Sequence, residues 1–205
     1  MGCLLPDLIK NADKSLNVLA HKYESKMGNN PKLNSLYRGW VRHVETDRLF
    51  HNAAFFYDNT HELKLLLSPA VEDTEIRPSF LSHIALELLL DHLLLKNDLV
   101  YEAEFYAHLK VVDRDAVDRF LRVCEVSDTA IFFSYLDTFI EEAYVGGYRE
   151  FDQITRALIH ICRRLWQVDL AADQQQRITE SLAHYTEHLA NGYHRIFDEI
   201  EVLLP

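Results

Sequence analysis

Apolar residues recur along the chain at steps of three and four, the period of an α-helix, and no stretch alternates in the manner of a strand. Asp58-Asn59 predicts a helix break, and Ser68 to Pro78 predicts a loop. The pattern predicts helices at about 5–20, 32–57, 61–67, 77–97, 101–112, 114–124, 149–168 and 172–203, and a further one that opens at Ser127 or Asp128 and runs through Ala143. We therefore expect an all-α fold, a single-domain helical bundle of about seven to nine helices over residues 1–205.

The stretch 77–97, RPSFLSHIALELLLDHLLLKN, is apolar around most of its helical wheel, and such helices are normally buried. It nevertheless carries His83, Glu87 and Asp91 at four-residue steps, which places them in one stripe on the helix. A buried carboxylate is costly unless it is paired, protonated or bound to a cation. The stripe therefore needs a partner.

A second stripe with the same spacing lies upstream, where His43, Asp47 and His51 repeat at four-residue steps among apolar residues. Two helices that face each other with these stripes would enclose one or two cations. Imidazole and carboxylate ligands together suit Zn, Mn or Fe. A polar core without metal, with the carboxylates joined to Arg38, Arg42 or Arg48, is the competing interpretation.

Composition and charge argue against several classes of function. The chain has 205 residues, 48% of them hydrophobic, and only 6 Gly and 5 Pro, which is typical of an ordinary globular protein. Its formal charge of −11 argues against a nucleic-acid partner. No apolar run reaches the roughly 20 residues that a membrane span requires. Three scattered cysteines and a start that does not read as a signal peptide predict a cytoplasmic protein.

Two segments carry a resemblance to a known family. The segment GWVRHVETDRLFH, from Gly39 to His51, is followed by Glu87-Leu-Leu-Leu-Asp91-His92 and Leu95. This arrangement resembles the acyl carrier protein phosphodiesterase family, all-helical hydrolases in which a G-x3-H-x3-D element precedes a D-x3-DH element. The opening GCLLPDLIK is similar to that family's early G-x4-D segment, which would add Asp7 to the site. The H-x3-D and H-x3-E elements are also similar to those of zinc-dependent phospholipase C.

The resemblance implies hydrolysis of a phosphodiester by metal-activated water that attacks phosphorus, with acyl carrier protein or a smaller phosphoester as substrate. It implies two catalytic candidates: Asp91 and His92 as general base or as a group that orients a ligand. It and the stripes together imply a set of metal ligands: Asp7, His43, Asp47, His51, His83 and Glu87.

The sequence departs from the family in three places. Members usually carry an apolar segment with an Asn-Phe-Leu-(Ala/Ser)-His motif ahead of the glycine, and this chain starts at the glycine. It has His43-Val-Glu-Thr-Asp47 in place of His-Arg-x-Ile-Asp, and position 87 is Glu rather than Asp. The alternative is therefore a non-catalytic helical protein whose structural or vestigial metal site serves a binding or assembly module, with a homodimer interface on the last helix.

Overall fold

The computed structural model describes residues 1–204 of the chain. They form helices and no strand, as the apolar period predicts. The α-helices are α1 (Leu5–Ala12), α2 (Pro31–Asn52), α3 (Ala54–Val71), α4 (Pro78–Lys96), α5 (Glu102–Lys110), α6 (Arg114–Val123), α7 (Ala130–Glu142), α8 (Phe151–Trp166), α9 (Ala172–Ala190) and α10 (Arg195–Glu201). Three 3-10 helices complete the set: Gly2–Leu4, Ala20–Met27 and Tyr144–Arg149. The all-α class is confirmed, with more helices than predicted in the described part.

Several predicted helix boundaries are wrong. The break between α2 and α3 falls at Ala53, whose ψ of 141° is extended, and not at Asp58-Asn59. Asn59 lies within α3, and its side-chain amide donates to the carbonyl of Phe55, one turn earlier, at 2.7 Å. The predicted loop from Ser68 begins too early, since α3 continues through Pro69 to Val71.

The two terminal helical regions also differ from the prediction. The predicted helix 5–20 ends at Ala12, where Asp13 turns extended and its carboxylate accepts hydrogen bonds from the backbone N–H and hydroxyl of Ser15. The predicted helix 172–203 is interrupted by a turn at 191–194, so that α9 and α10 are separate.

The chain divides into two compact units, each built from two segments of sequence. Unit 1 comprises Met1–Arg48 and Ala103–Tyr144, and unit 2 comprises Leu49–Glu102 and Val145–Pro205. The predicted single domain over 1–205 stays a prediction. α2 ends with four residues that belong to unit 2, and these include His51.

Unit 1 contains a close backbone contact between the start of the chain and α2. A Cβ added at Gly39 would lie 2.7 Å from the Cα of Gly2 and 2.8 Å from the backbone nitrogen of Cys3. These atoms belong to the backbone, so they cannot rotate away as a flexible side chain would. Glycine is therefore required at position 39 by the approach of the first residues to α2.

We expect Gly39→Ala to lower the free energy of unfolding of unit 1 by about 2 kcal/mol, because overpacking against a fixed backbone typically costs that much. Alanine in place of glycine in an unobstructed helix would instead stabilise it by roughly 1 kcal/mol. The sign of the change in the free energy of unfolding, measured by urea denaturation, thus distinguishes a close backbone contact from an unobstructed helix. Gly192→Ala, in the turn between α9 and α10, is the control for the same chemical change without a backbone clash, because its added Cβ meets only the side chain of Arg195, at 3.6 Å, and it should change the free energy of unfolding by less than about 0.5 kcal/mol. Stabilisation by Gly39→Ala would contradict the contact.

Unit 2 is built around α4. This helix packs against α3, α8 and α9, while α10 packs against α3. Leucines on several faces of α4 are fully or almost fully buried: Leu81, Leu86, Leu88, Leu89, Leu90, Leu93 and Leu95. The prediction that 77–97 forms a buried central helix is confirmed, and this rigid element carries the stripe of polar residues that forms part of the candidate site.

α4 is also long and apolar enough to cross a membrane, by length and composition alone. This corrects the expectation that no stretch of the chain approaches that length. A core helix passes the same test, and more than half of the apolar stretch of α4 is buried within the protein. The absence of a membrane span therefore stays a prediction.

Candidate metal centre

Three residues of the two predicted stripes meet in unit 2. His51 lies one residue before the end of α2, and His83 and Glu87 lie one turn apart on α4. The i, i+4 spacing puts the last two on one face of the helix, because residues four apart stand above one another. His51 joins that face from the other helix, so the group is formed by two elements distant in sequence.

The three potential ligand atoms form a nearly equilateral triangle. The Nε2 atoms of His51 and His83 are 3.1 Å apart, and Oε1 of Glu87 lies 3.1 Å from the first and 3.2 Å from the second. Ligand atoms that share one cation at about 2.0–2.2 Å lie roughly 3.0–3.5 Å from each other in octahedral or tetrahedral geometry. The residues therefore fit a divalent cation bound to one face of the triangle. Within residues 1–204 this is the one group of three or more His, Cys, Asp or Glu with such spacing.

Hydrogen bonds alone satisfy this triangle poorly. Each neutral imidazole carries one N–H, on either nitrogen. If both Nε2 atoms donated to Oε1 of Glu87, two N–H groups whose nitrogens are only 3.1 Å apart would converge on one oxygen. If His51 and His83 paired with each other, only one of the two could donate. A cation would accept all three lone pairs at once, so the group is a possible metal-binding site.

Aromatic rings fix the two imidazoles in place. The rings of His51 and His83 are stacked, with centroids 4.8 Å apart and planes 13° apart. Phe56 of α3 packs its ring edge-to-face against both, at 4.8 Å and 5.0 Å. Phe50 contacts His51 at 5.3 Å, and Phe80 lies parallel to His83 at 6.3 Å. Such packing restricts the side-chain rotamers and so preorganises the two nitrogens.

The electrostatics of Glu87 agree with a charged ligand. Burial by itself raises the pKa of this carboxyl, but hydrogen bonds and the charges of His83 and then His51 outweigh burial, and the net pKa is lowered. Glu87 therefore carries a negative charge near neutral pH. The three side chains keep between 28% and 40% of their surface exposed, so ligands from solvent can reach the site.

The remaining predicted ligands lie in unit 1. Nε2 of His43 lies 3.7 Å from Oδ1 of Asp7. Asp47 lies on the same helix as His43, one turn later. Because these three belong to the other unit, their assignment as ligands of the same cation stays a prediction.

The two predicted catalytic residues have different environments. Asp91 lies at the surface of α4, and desolvation of its carboxyl by the protein around it raises the pKa to about 7, to which the charge of Glu87 adds. His92 is 2% exposed, and its Nδ1 lies 2.9 Å from the carbonyl oxygen of Tyr148. Neither belongs to the group of three. Their catalytic roles stay predictions.

The aromatic enclosure is the part of the site that the sequence interpretation missed. Phe80 precedes His83 by three residues on one helix, so a signal for this contact was present in the spacing, whereas Phe50, directly before His51, gave none. The contribution of Phe56 is not visible in this way, because it depends on how α3 folds back from Ala53. Trp166 of α8 extends the enclosure through an edge contact with Phe80, at 5.3 Å.

No family model matches the chain, and neither a curated protein nor a solved structure proves similar to it. The resemblance to acyl carrier protein phosphodiesterase therefore rests on the short motifs around Gly39 and Glu87. The geometry of His51, His83 and Glu87 is the remaining basis for a function.

Proposed function

We propose that His51, His83 and Glu87 hold a divalent cation and that the protein is a metal-dependent hydrolase of phosphoesters. The triangle of ligand atoms with edges of 3.1–3.2 Å is the single observation that carries the proposal. Two imidazoles and one carboxylate leave coordination positions open, which is a property of catalytic rather than closed structural sites. Zn, Mn and Fe all accept this ligand set.

Each residue has a defined part in this proposal. Glu87 supplies the negative charge that offsets the cation, and the two histidines supply neutral nitrogens whose orientation Phe56 fixes. A bound divalent cation provides a Lewis acid that lowers the pKa of water and offsets charge on phosphoryl oxygens. Asp91, one turn after Glu87 and with its pKa raised to about 7, takes up the proton that the attacking water releases.

The substrate class is supported by the resemblance and by charge. The segments from Gly39 to His51 and from Glu87 to His92 are similar to phosphodiesterase elements. A small phosphodiester is the favoured substrate, because a chain with a formal charge of −11 repels an acidic carrier protein. Acyl carrier protein is the narrower proposal, and it requires contact with the basic residues between Lys22 and Arg48.

Removal of the cation is the first test of this proposal. We expect dialysis against a chelator to lower the hydrolysis of bis(4-nitrophenyl) phosphate at least about a hundredfold, because the Lewis acid is lost. The helical circular dichroism at 25 °C should stay unchanged, since the ligands are partly exposed and the core of unit 2 does not include them. Restoring Mn²⁺ or Zn²⁺ should restore activity. A chelated protein that keeps full activity would contradict the proposal.

A structural metal site is the second candidate. The group joins the end of α2 to α4, so a cation would tie together elements far apart in sequence. In that case the chelator should lower the melting temperature markedly while no phosphodiester is hydrolysed before or after treatment, because binding energy contributes to folding. The two candidates therefore differ in both readouts.

A further inference from the structure

A groove of about 400 Å³ lies in unit 2 between α4 and α9, with Phe151 of α8 at its side. It shares no residue with His51, His83 and Glu87. Leu93, Phe151 and two alanines of α9 give it apolar walls. The groove has room for a molecule of about ten to fifteen non-hydrogen atoms, at the small end of ligand pockets.

His92 is the buried polar group of this groove. Its Nδ1 lies 2.9 Å from the carbonyl oxygen of Tyr148, and since a carbonyl only accepts, Nδ1 carries the proton. In the neutral ring Nε2 is then an acceptor, and it has no partner within residues 1–204. Within that range, Oγ1 of Thr155 is the one side-chain polar atom that is both fully enclosed and without a partner. Nε2 of His92 also lacks a partner, so it is not fully enclosed. It is open to the groove that the residue lines, although His92 is 98% buried.

The rim of the groove carries one charge of each sign. Lys96 follows His92 by one turn of α4, so it lies about 6 Å further along the same face. Glu187 lines the groove from α9. Neither residue forms an ion pair with any other residue that the structure describes. Lys96 is thus available to an anion, while Glu187 disfavours a ligand with two negative charges.

The polar hydrogens of Asn97 and Thr186, which also line the groove, are already donated within the protein. The side-chain amide of Asn97 donates to the carbonyl of Leu93 at 2.8 Å and to the hydroxyl of Tyr193 at 3.1 Å. The hydroxyl of Thr186 donates to the carbonyl of Leu182 at 2.7 Å. Recognition in the groove therefore depends on Nε2 of His92 and on Lys96.

We infer that this groove binds a small monocarboxylic acid that has an apolar body and a hydroxyl group. The hydroxyl donates to Nε2 of His92, the carboxylate pairs with Lys96, and the apolar body packs against Leu93 and the ring of Phe151. Phe151 already contacts the ring of His92 edge-to-face, with centroids 5.8 Å apart, so the wall and the acceptor are adjacent. A site that is built to receive a hydrogen bond rejects an analogue that lacks the donor.

The test compares 4-hydroxyphenylacetate with phenylacetate on the full chain by isothermal titration calorimetry. We expect the hydroxylated acid to bind at least about tenfold more tightly, since only it satisfies Nε2. In ¹⁵N-labelled protein it should also shift the Nε2 resonance of His92. Lys96→Met should weaken binding of both acids by roughly five- to tenfold. Lys64→Met, an exposed lysine of α3, is the matched control and should have no effect.

His92→Phe should remove the preference for the hydroxylated acid, provided that the variant folds. If it does not fold, Lys96→Met and the comparison of the two acids still decide, because Lys96 is exposed. Equal affinities of the two acids for the wild type, or no binding of either at millimolar concentration, would overturn the inference. So would binding that Lys96→Met leaves unchanged. None of these outcomes depends on the metal centre, because the groove does not include it.

Discussion

Glu87→Gln is expected to lower the affinity of the protein for Mn²⁺ or Zn²⁺ at least about a hundredfold. Loss of a group that only orients a ligand costs 10- to 100-fold, and the proposed centre makes Glu87 a ligand itself. Glutamine keeps the shape of the side chain but removes its negative charge, the one formal charge in the triangle. Calorimetric titration of metal-free protein with each cation measures the change.

Glu72→Gln is the matched control for this experiment. It removes the same charge at an exposed position after α3, so it tests whether net charge alone alters cation affinity. Its affinity should equal that of the wild type. If Glu87→Gln binds the cation as tightly as Glu72→Gln does, Glu87 is not a ligand and the proposed centre fails.

Leu89→Ala should lower the free energy of unfolding of unit 2 by about 3 kcal/mol, within the range of 2–5 for buried leucines. The side chain of Leu89 is completely buried in the core around α4. The loss combines the transfer energy of the removed carbons with the cavity they leave. Because a domain is typically stable by about 5–15 kcal/mol, this one change removes a large fraction of the total.

Leu65→Ala gives the same chemical change on the surface. Leu65 lies on α3 with 62% of its surface exposed, and we expect an effect below about 0.5 kcal/mol. Urea denaturation followed by circular dichroism compares the two variants. Equal effects of the two substitutions would mean that α4 is not the core of unit 2.

Local signals in the sequence were sufficient for much of the fold. The all-round apolar pattern of 77–97 identified the central helix, and the predicted helix 114–124 agrees closely with α6, where the carboxylate of Asp113 accepts from the backbone N–H of Ala116 at 3.0 Å. A helix boundary was predicted wrongly where a residue type that often ends helices forms side-chain hydrogen bonds within one. Asn59 is the clearest case, because its amide also accepts a hydrogen bond from Tyr185, 126 residues later in the chain, and no local pattern contains that contact.

The sequence predicted the residue types of the candidate site, but not which of the predicted residues come together. The i, i+4 spacing of His83 and Glu87 is a local property of one helix, and it correctly brought these two side chains together. The partner from α2 depends on the register between helices, which the spacing of His43, Asp47 and His51 leaves open. The structure joins His51 to the pair, and its packing against Phe56 fixes that choice.

The most direct test of the central claim is the anomalous difference density of crystals grown with Zn²⁺ or Mn²⁺. The proposed centre predicts a peak about 2.0–2.2 Å from Nε2 of His51, Nε2 of His83 and Oε1 of Glu87. A peak in that position would establish the three ligands whatever the substrate proves to be. Crystals that bind the cation elsewhere, or that show no peak among these three atoms at saturating metal, would contradict the account.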